Sequence, residues 1–182
     1  MKKKNSSILT IFFTVFIDLL GLGIVIPILP ALIINPTANL LPFDTAFSQR
    51  TIIYGFLIAS YPIMQFFGAP LLGTLADRFG RKKILSISLL GTWAGYVLFI
   101  IGILTQDIYL LFIGRSIDGF TGGNISIAQS AISDISTPEN KSRNFGLVGM
   151  AFGLGFVIGP YIGGKLSDPK LRVGLVLKHL FT

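Results

Sequence analysis

The chain of 182 residues is 52% hydrophobic and only 13% charged, with a net charge of +7, 21 glycines and a mean hydropathy of +0.75. A soluble domain carries about a quarter charged residues, and with 16 phenylalanines and long Leu/Ile runs the chain lacks the low hydrophobicity of a disordered one, so the membrane class remains. No cysteine is present, which excludes disulfides, Cys-ligated zinc and thiol chemistry.

A hydrocarbon layer of about 30 Å needs roughly 20 apolar residues in a helix, and the sequence predicts five such spans: 8–34, 51–76, 84–104, 108–132 and 145–166. The first is far longer than the apolar region of a cleavable leader and is followed by further spans, so it is read as a permanent crossing. Lys2, Lys3 and Lys4 precede it; Arg78, Arg81, Lys82 and Lys83 lie between the second and third spans; Lys141 and Arg143 lie between the fourth and fifth. The opposite side has Arg50. This bias places the amino end in the cytoplasm. It also makes the cations topological anchors rather than a nucleic-acid surface, since no aromatic residues interleave with them. After residue 166 the pattern fails: Lys165, Lys170, Arg172 and Lys178 gather where an outer end is expected, and the apolar run 173–177 is too short to cross. The chain is therefore expected to be an incomplete copy of something longer, with one unit over 1–168 and an aberrant tail over 169–182.

Spans separated by an offset of three share motifs. Asp18 with Gly21 and Gly23 in the first matches Asp118 with Gly119, Gly122 and Gly123 in the fourth; Gly68, Pro70 and Gly73 in the second match Gly159, Pro160 and Gly163 in the fifth. Asp18 and Asp118 each lie ten residues into their spans, about 15 Å deep, approached from opposite faces. That is the arithmetic of a three-plus-three inverted repeat, whose binding sites lie at the midplane. The expected fold is thus an all-α integral membrane protein: five transmembrane helices of a six-helix half, incomplete.

Within the spans the ionisable residues are Asp18, Arg115 and Asp118, with Lys165 near an end where it can snorkel, and each central charge costs roughly 2.5–3.5 kcal/mol on insertion scales. They should face protein or water and are candidates for a proton and substrate pathway. Arg115 and Asp118, three apart, share a helical face and can pair; the alternative is an ion pair that only fixes helix packing. Asp18 has no local partner, as a proton-carrying carboxylate requires; the alternative is a carboxylate satisfied by Arg115. No histidine cluster or nucleophile–base pair supports an enzyme or a metal site, and the single histidine, His179, falls in the tail.

The break Gly73 to Lys83 holds Asp77 at the end of one helix, Gly80 where a tight turn with positive φ is needed, and cations at the start of the next. Helix dipoles favour acids there, so the cations answer either to the positive-inside bias, the reading for Lys82 and Lys83, or to a partner acid. Asp77, Arg78, Gly80 and Arg81 are assigned a role in coupling helix motions. In the fifth span Gly155, Gly159 and Gly163 share one face and permit close backbone approach, beside Pro160, which removes a backbone hydrogen bond. The strip is either plain helix packing or a hinge.

The segment 73–83 resembles the G-x-L-a-D-r-x-G-r-k-k signature of the major facilitator superfamily. The segment 111–123, with Arg115 and Gly119, resembles its helix-four R-x-x-x-G signature, and Gly155 to Gly164 resembles the G-x-x-x-G-P-x-x-G-G signature of its antiporters. Asp18-Leu-Leu-Gly21-Leu-Gly23 through Pro27 and Pro30 is similar to the first helix of the drug:proton antiporters, the tetracycline exporters in particular. The resemblance covers about 8–168, as the amino-terminal half of such a carrier. It implies a twelve-helix protein of two halves rocking about a central site in a bacterial inner membrane, with the lipid bilayer, protons, a small amphipathic drug and a missing carboxy-terminal half as partners. No cofactor is implied beyond the proton gradient. It further implies proton transfer through Arg115, a charge cluster of Asp77 and Arg81 with Asp134, and control of leakage by the strip Gly155, Gly159, Pro160, Gly163 and Gly164. Tetracycline exporters place an acid before the helix-three tyrosine, where this chain has Gly95-Tyr96. The alternatives to an efflux carrier in truncated form are a transport-inactive membrane fragment and a carrier of another small solute.

Overall fold

The computed structural model describes residues 2–35, 38 and 40–167, with side chains from residue 8 onward in that range. Asp168, the tail expected over 169–182 and the side chains of Lys2, Lys3 and Lys4 lie outside the described residues. Six helices follow in order: α1 (Lys2–Ile33), α2 (Phe47–Phe79), α3 (Arg81–Leu104), α4 (Ile108–Thr121), α5 (Asn124–Ile135) and α6 (Lys141–Ser167). Within the described residues α1, α2, α3 and α6 are each long and apolar enough to cross a membrane. They outrun the apolar windows of the sequence, as Phe47–Phe79 outruns 51–76, because hydropathy marks only the part that sits in hydrocarbon while helical hydrogen bonding continues into the interface.

The fourth span corrects the sequence expectation. A single crossing over 108–132 is replaced by α4 and α5, with Gly122 and Gly123 between them. Glycine weakens a helix by about 1 kcal/mol per residue, and α2 also crowds these two. A Cβ on Gly123 would lie 2.6 Å from Ala69 Cα, and one on Gly122 would strike the Tyr61 hydroxyl. Side chains take up the carbonyls at the break. Gln65 Nε2 donates to Gly122 O at 2.9 Å, Ser126 Oγ to Gly123 O at 2.8 Å, and Ser88 Oγ to Thr121 O. Irregular backbone at membrane depth persists only where protein supplies such partners. Taken end to end, α4 and α5 cover the fourth predicted span.

Short polar connections fix the rods. Gly80 is the one residue between α2 and α3, at φ +93°, a conformation that strains any side chain with a β-carbon. Asp107 caps α4 by accepting from Tyr109 N at 2.8 Å. Arg50, which the sequence places on the side opposite the basic loops, is 2% exposed. Its guanidinium donates to Ile33 O at 3.1 Å, Pro42 O at 2.7 Å, Thr45 O at 3.2 Å and Leu41 O at 3.5 Å, which ties the end of α1 to the start of α2. Five donors in a planar fork suit such a cluster of carbonyls as no other side chain does.

Close helix contacts organise the bundle: α3 lies on α4, where a Cβ on Gly114 would sit 2.7 Å from Gly95 O, and two further contacts are related to each other. In the first, α6 lies on α1: a Cβ on Gly159 would sit 2.7 Å from Leu20 O and 2.8 Å from Gly23 Cα, one on Gly155 would sit 2.8 Å from Leu19 Cβ, and one on Gly163 would overlap Ile24 O. In the second, α2 lies on α4: a Cβ on Gly68 would overlap Phe120 O, and one on Gly119 would overlap Tyr61 O. The fifth span against the first and the second against the fourth are exchanged by an offset of three spans, which is the packing an inverted repeat demands. Apolar clusters flank the middle of α1: Ile11, Val15 and Leu19 join α5 and α6, while Val25, Leu29 and Ile33 join α2, α3 and α4.

Candidate functional site

Between those clusters the helices bury three charges: Asp18 (5% exposed), Arg115 (4%) and Asp118 (3%). The i,i+3 spacing on α4 brings Arg115 Nη1 to 3.1 Å from Asp118 Oδ2, and the Arg115 guanidinium carbon stands 4.7 Å from the centroid of the Tyr61 ring on α2. The ring face attracts a cation, so Arg115 is held by a carboxylate and by an aromatic face from two helices. It pairs with Asp118 and not with Asp18.

Asp18 on α1 is placed differently. It lies within electrostatic reach of Asp118, Tyr61 and Tyr96, and the Asn124 side chain at the start of α5 stands beside it. Among the described residues, neither Asp18 Oδ2 nor Asn124 Nδ2 completes a hydrogen bond. Two carboxylates and one guanidinium leave one acid without a compensating cation. An ionised carboxylate in that position carries a burial cost that no cation offsets.

The sequence had singled out Tyr96 only as the neighbour of Gly95, and had not singled out Tyr61 or Asn124. Tyr96 presses its hydroxyl against Gly21. A Cβ at Gly95 would lie 2.8 Å from Gly114 O and 3.0 Å from Asp118 Cβ. An acidic side chain at position 95 and Asp118 therefore compete for the same space.

At the other end of α2, Arg81 Nε reaches Asp134 Oδ2 at 2.7 Å, and Arg81 Nη2 reaches Asp77 Oδ1 at 3.4 Å. The structure thus brings Asp77, Arg81 and Asp134 together around a groove of about 530 Å³ that Gly80 also lines. Asp134 contributes from the end of α5. Arg78 stands apart, its guanidinium 5.4 Å from the Phe79 ring. Gly73 and Gly164 face open space, unlike Gly155, Gly159 and Gly163. Pro160 remains inside α6 and packs its ring against Gly23, where a Cβ would meet Pro160 Cδ at 2.9 Å.

Helices long and apolar enough to cross a membrane, enclosing an ion pair and a second buried acid, define an integral membrane protein. Residues 11–170 match the model of the Major Facilitator Superfamily, and the chain belongs to that family, which comprises transporters rather than enzymes. Similar proteins include a class C tetracycline resistance protein of Escherichia coli, 39% identical over 93% of this chain and 40% of that protein. A class H tetracycline resistance protein of Pasteurella multocida is 38% identical over 90% of this chain and 38% of its own length. The quinolone resistance protein NorA of Staphylococcus aureus is 30% identical over 93% of this chain and 40% of its own length. The chain spans about two fifths of the length of these curated relatives.

Proposed function

We propose that this chain is the amino-terminal half of a proton-coupled exporter of small amphipathic compounds, residing in a bacterial cell membrane with its amino end in the cytoplasm. The observation that carries the reading is Asp18, a buried carboxylate facing Asp118 and two tyrosines while the nearby arginine is engaged elsewhere. Asp18 takes and releases the proton; the Arg115–Asp118 pair borders the same path and answers to its charge. The cluster of Asp77, Arg81 and Asp134 holds α2, α3 and α5 together at the cytoplasmic end, Gly80 sets the turn, and Gly155, Gly159 and Gly163 with Pro160 set how closely α6 rides on α1. The names of the relatives, tetracycline and quinolone resistance proteins, support drugs as cargo. The proton gradient supplies the energy.

The test is a full-length carrier in which this chain's residues 11–167 replace the corresponding part of the class C relative. Asp18→Asn and Arg115→Ala are each expected to abolish proton-driven drug export from everted vesicles while leaving membrane insertion intact. Undiminished export in both variants overturns the assigned roles.

A further inference from the structure

The broken fourth span places the side chain of Asn124, the first residue of a half-helix, beside a buried carboxylate. Gly122 and Gly123 end α4, and α5 begins at Asn124, with no side chain capping its first turn. The first N–H groups of a helix lack intrahelical partners and carry partial positive charge. The side chain on that first turn is 1% exposed, its Nδ2 is without a hydrogen-bond partner among the described residues, and it stands beside Asp18, whose Oδ2 is likewise unpartnered and 5% exposed as a residue. A break braced by Gln65, Ser88 and Ser126 holds this arrangement in place. The other groups facing Asp18 are Tyr61 from α2, Tyr96 from α3 and the Arg115–Asp118 pair from α4. The sixth helix packs on Leu19 and Leu20 through glycines.

Resting on the reading of Asp18 as the proton carrier, we propose that Asn124, with the first turn of α5, is the positioning residue that stabilises ionised Asp18, so that proton uptake is linked to the separation of α1 from α5. A carboxylate accepts from an amide donor and from helix N–H groups, whereas its protonated form gains less from both. With α1 and α5 together Asp18 gives up its proton; with the helices apart it loses the donor and takes one.

The experiment uses the full chain in lipid nanodiscs and reads carbodiimide modification of Asp18, which requires the protonated acid, by peptide mass spectrometry across a pH series. Asn124→Ala is expected to increase Asp18 labelling about tenfold on the alkaline side of the wild-type midpoint, the equivalent of one pH unit. Asn124→Ser, close to alanine in volume but retaining a donor, is expected to restore most of the wild-type profile. Equal profiles for the alanine and serine variants, or no change in either, overturn the inference, because a role in packing alone does not distinguish them. An Asn124→Ala chain that fails to fold leaves the serine variant against Asn124→Thr and Asn124→Val as the same comparison of donor with no donor. Labelling of wild-type Asp18 that does not vary with pH overturns the proton-carrier reading itself, whatever the variants do.

Discussion

Replacing Gly159 with alanine perturbs the contact between α6 and α1 by one methyl group. That methyl would lie 2.7 Å from Leu20 O, 2.8 Å from Gly23 Cα and 3.0 Å from Gly23 C. Carbon atoms in good contact stand about 3.5–4.0 Å apart, so the two helices must part by roughly 0.7 Å, and the obstacle is backbone that no rotamer change can move. Overpacking of this kind costs about 1–3 kcal/mol, against a gain of about 1 kcal/mol in helix propensity on leaving glycine. A net loss of about 1 kcal/mol corresponds to a Tm lower by roughly 2–4 °C for a chain of this size. Gly164→Ala is the internal control: it lies in the same motif, five residues along the helix, and its Cβ meets nothing within 4 Å. Thermal unfolding in one detergent, followed by tryptophan fluorescence from the single Trp93, compares the two. A Tm for Gly159→Ala at or above that of Gly164→Ala would refute the claim that backbone contact sets the α1–α6 spacing.

Arg115→Ala leaves Asp118 buried without a cation and is expected to cost about 3–5 kcal/mol; Arg115→Met with Asp118→Asn should recover much of that loss, as the same thermal assay will show by a double-mutant cycle. Arg50→Lys keeps the charge but replaces the planar fork with a single ammonium that cannot reach all four carbonyls, so faster proteolysis of the connection between α1 and α2 is expected, with protection equal to wild type as the contrary result. Because the chain has no cysteine, single cysteines at Arg78, Thr105 and Asn140 report topology cleanly: a membrane-impermeant thiol reagent applied to intact cells should label position 105 alone, and labelling at 78 or 140 would reverse the orientation.

Much of the bundle was legible because span length is a property of composition, and five apolar runs announce themselves whatever they pack against. The Arg115–Asp118 pair was legible for a local reason, since residues three apart on a helix must meet. The link from Asp77 to Arg81 came, like Asp134, only through family resemblance, because Gly80 turns the chain between two helices there and nothing local ties residue 134 to residue 81. The break at Gly122–Gly123 was hidden: glycine pairs in apolar spans usually continue the helix, and what interrupts this one is the approach of Ala69 and Tyr61 from α2. Tyr61 and Asn124 were hidden for a related reason. In a helix that is apolar all round, the residue pattern does not reveal which face turns inward, so a tyrosine on α2 reads as an interfacial anchor as readily as a partner for arginine. The partners of Arg50 were not legible, because a cation near a predicted span end carries no signal that its acceptors are the carbonyls of its own hairpin.

The Arg50 clasp has a mechanical meaning. Four acceptors spread over the last turn of α1 and the approach to α2 converge on one planar head, so at that extremity the two rods cannot slide lengthwise past each other without surrendering bonds that lipid will not replace. Along its shaft α1 is grasped by the glycine strip of α6. Arg50 thus fixes the lengthwise register of α1 against α2, while the glycines of α6 set how near its neighbour can stand.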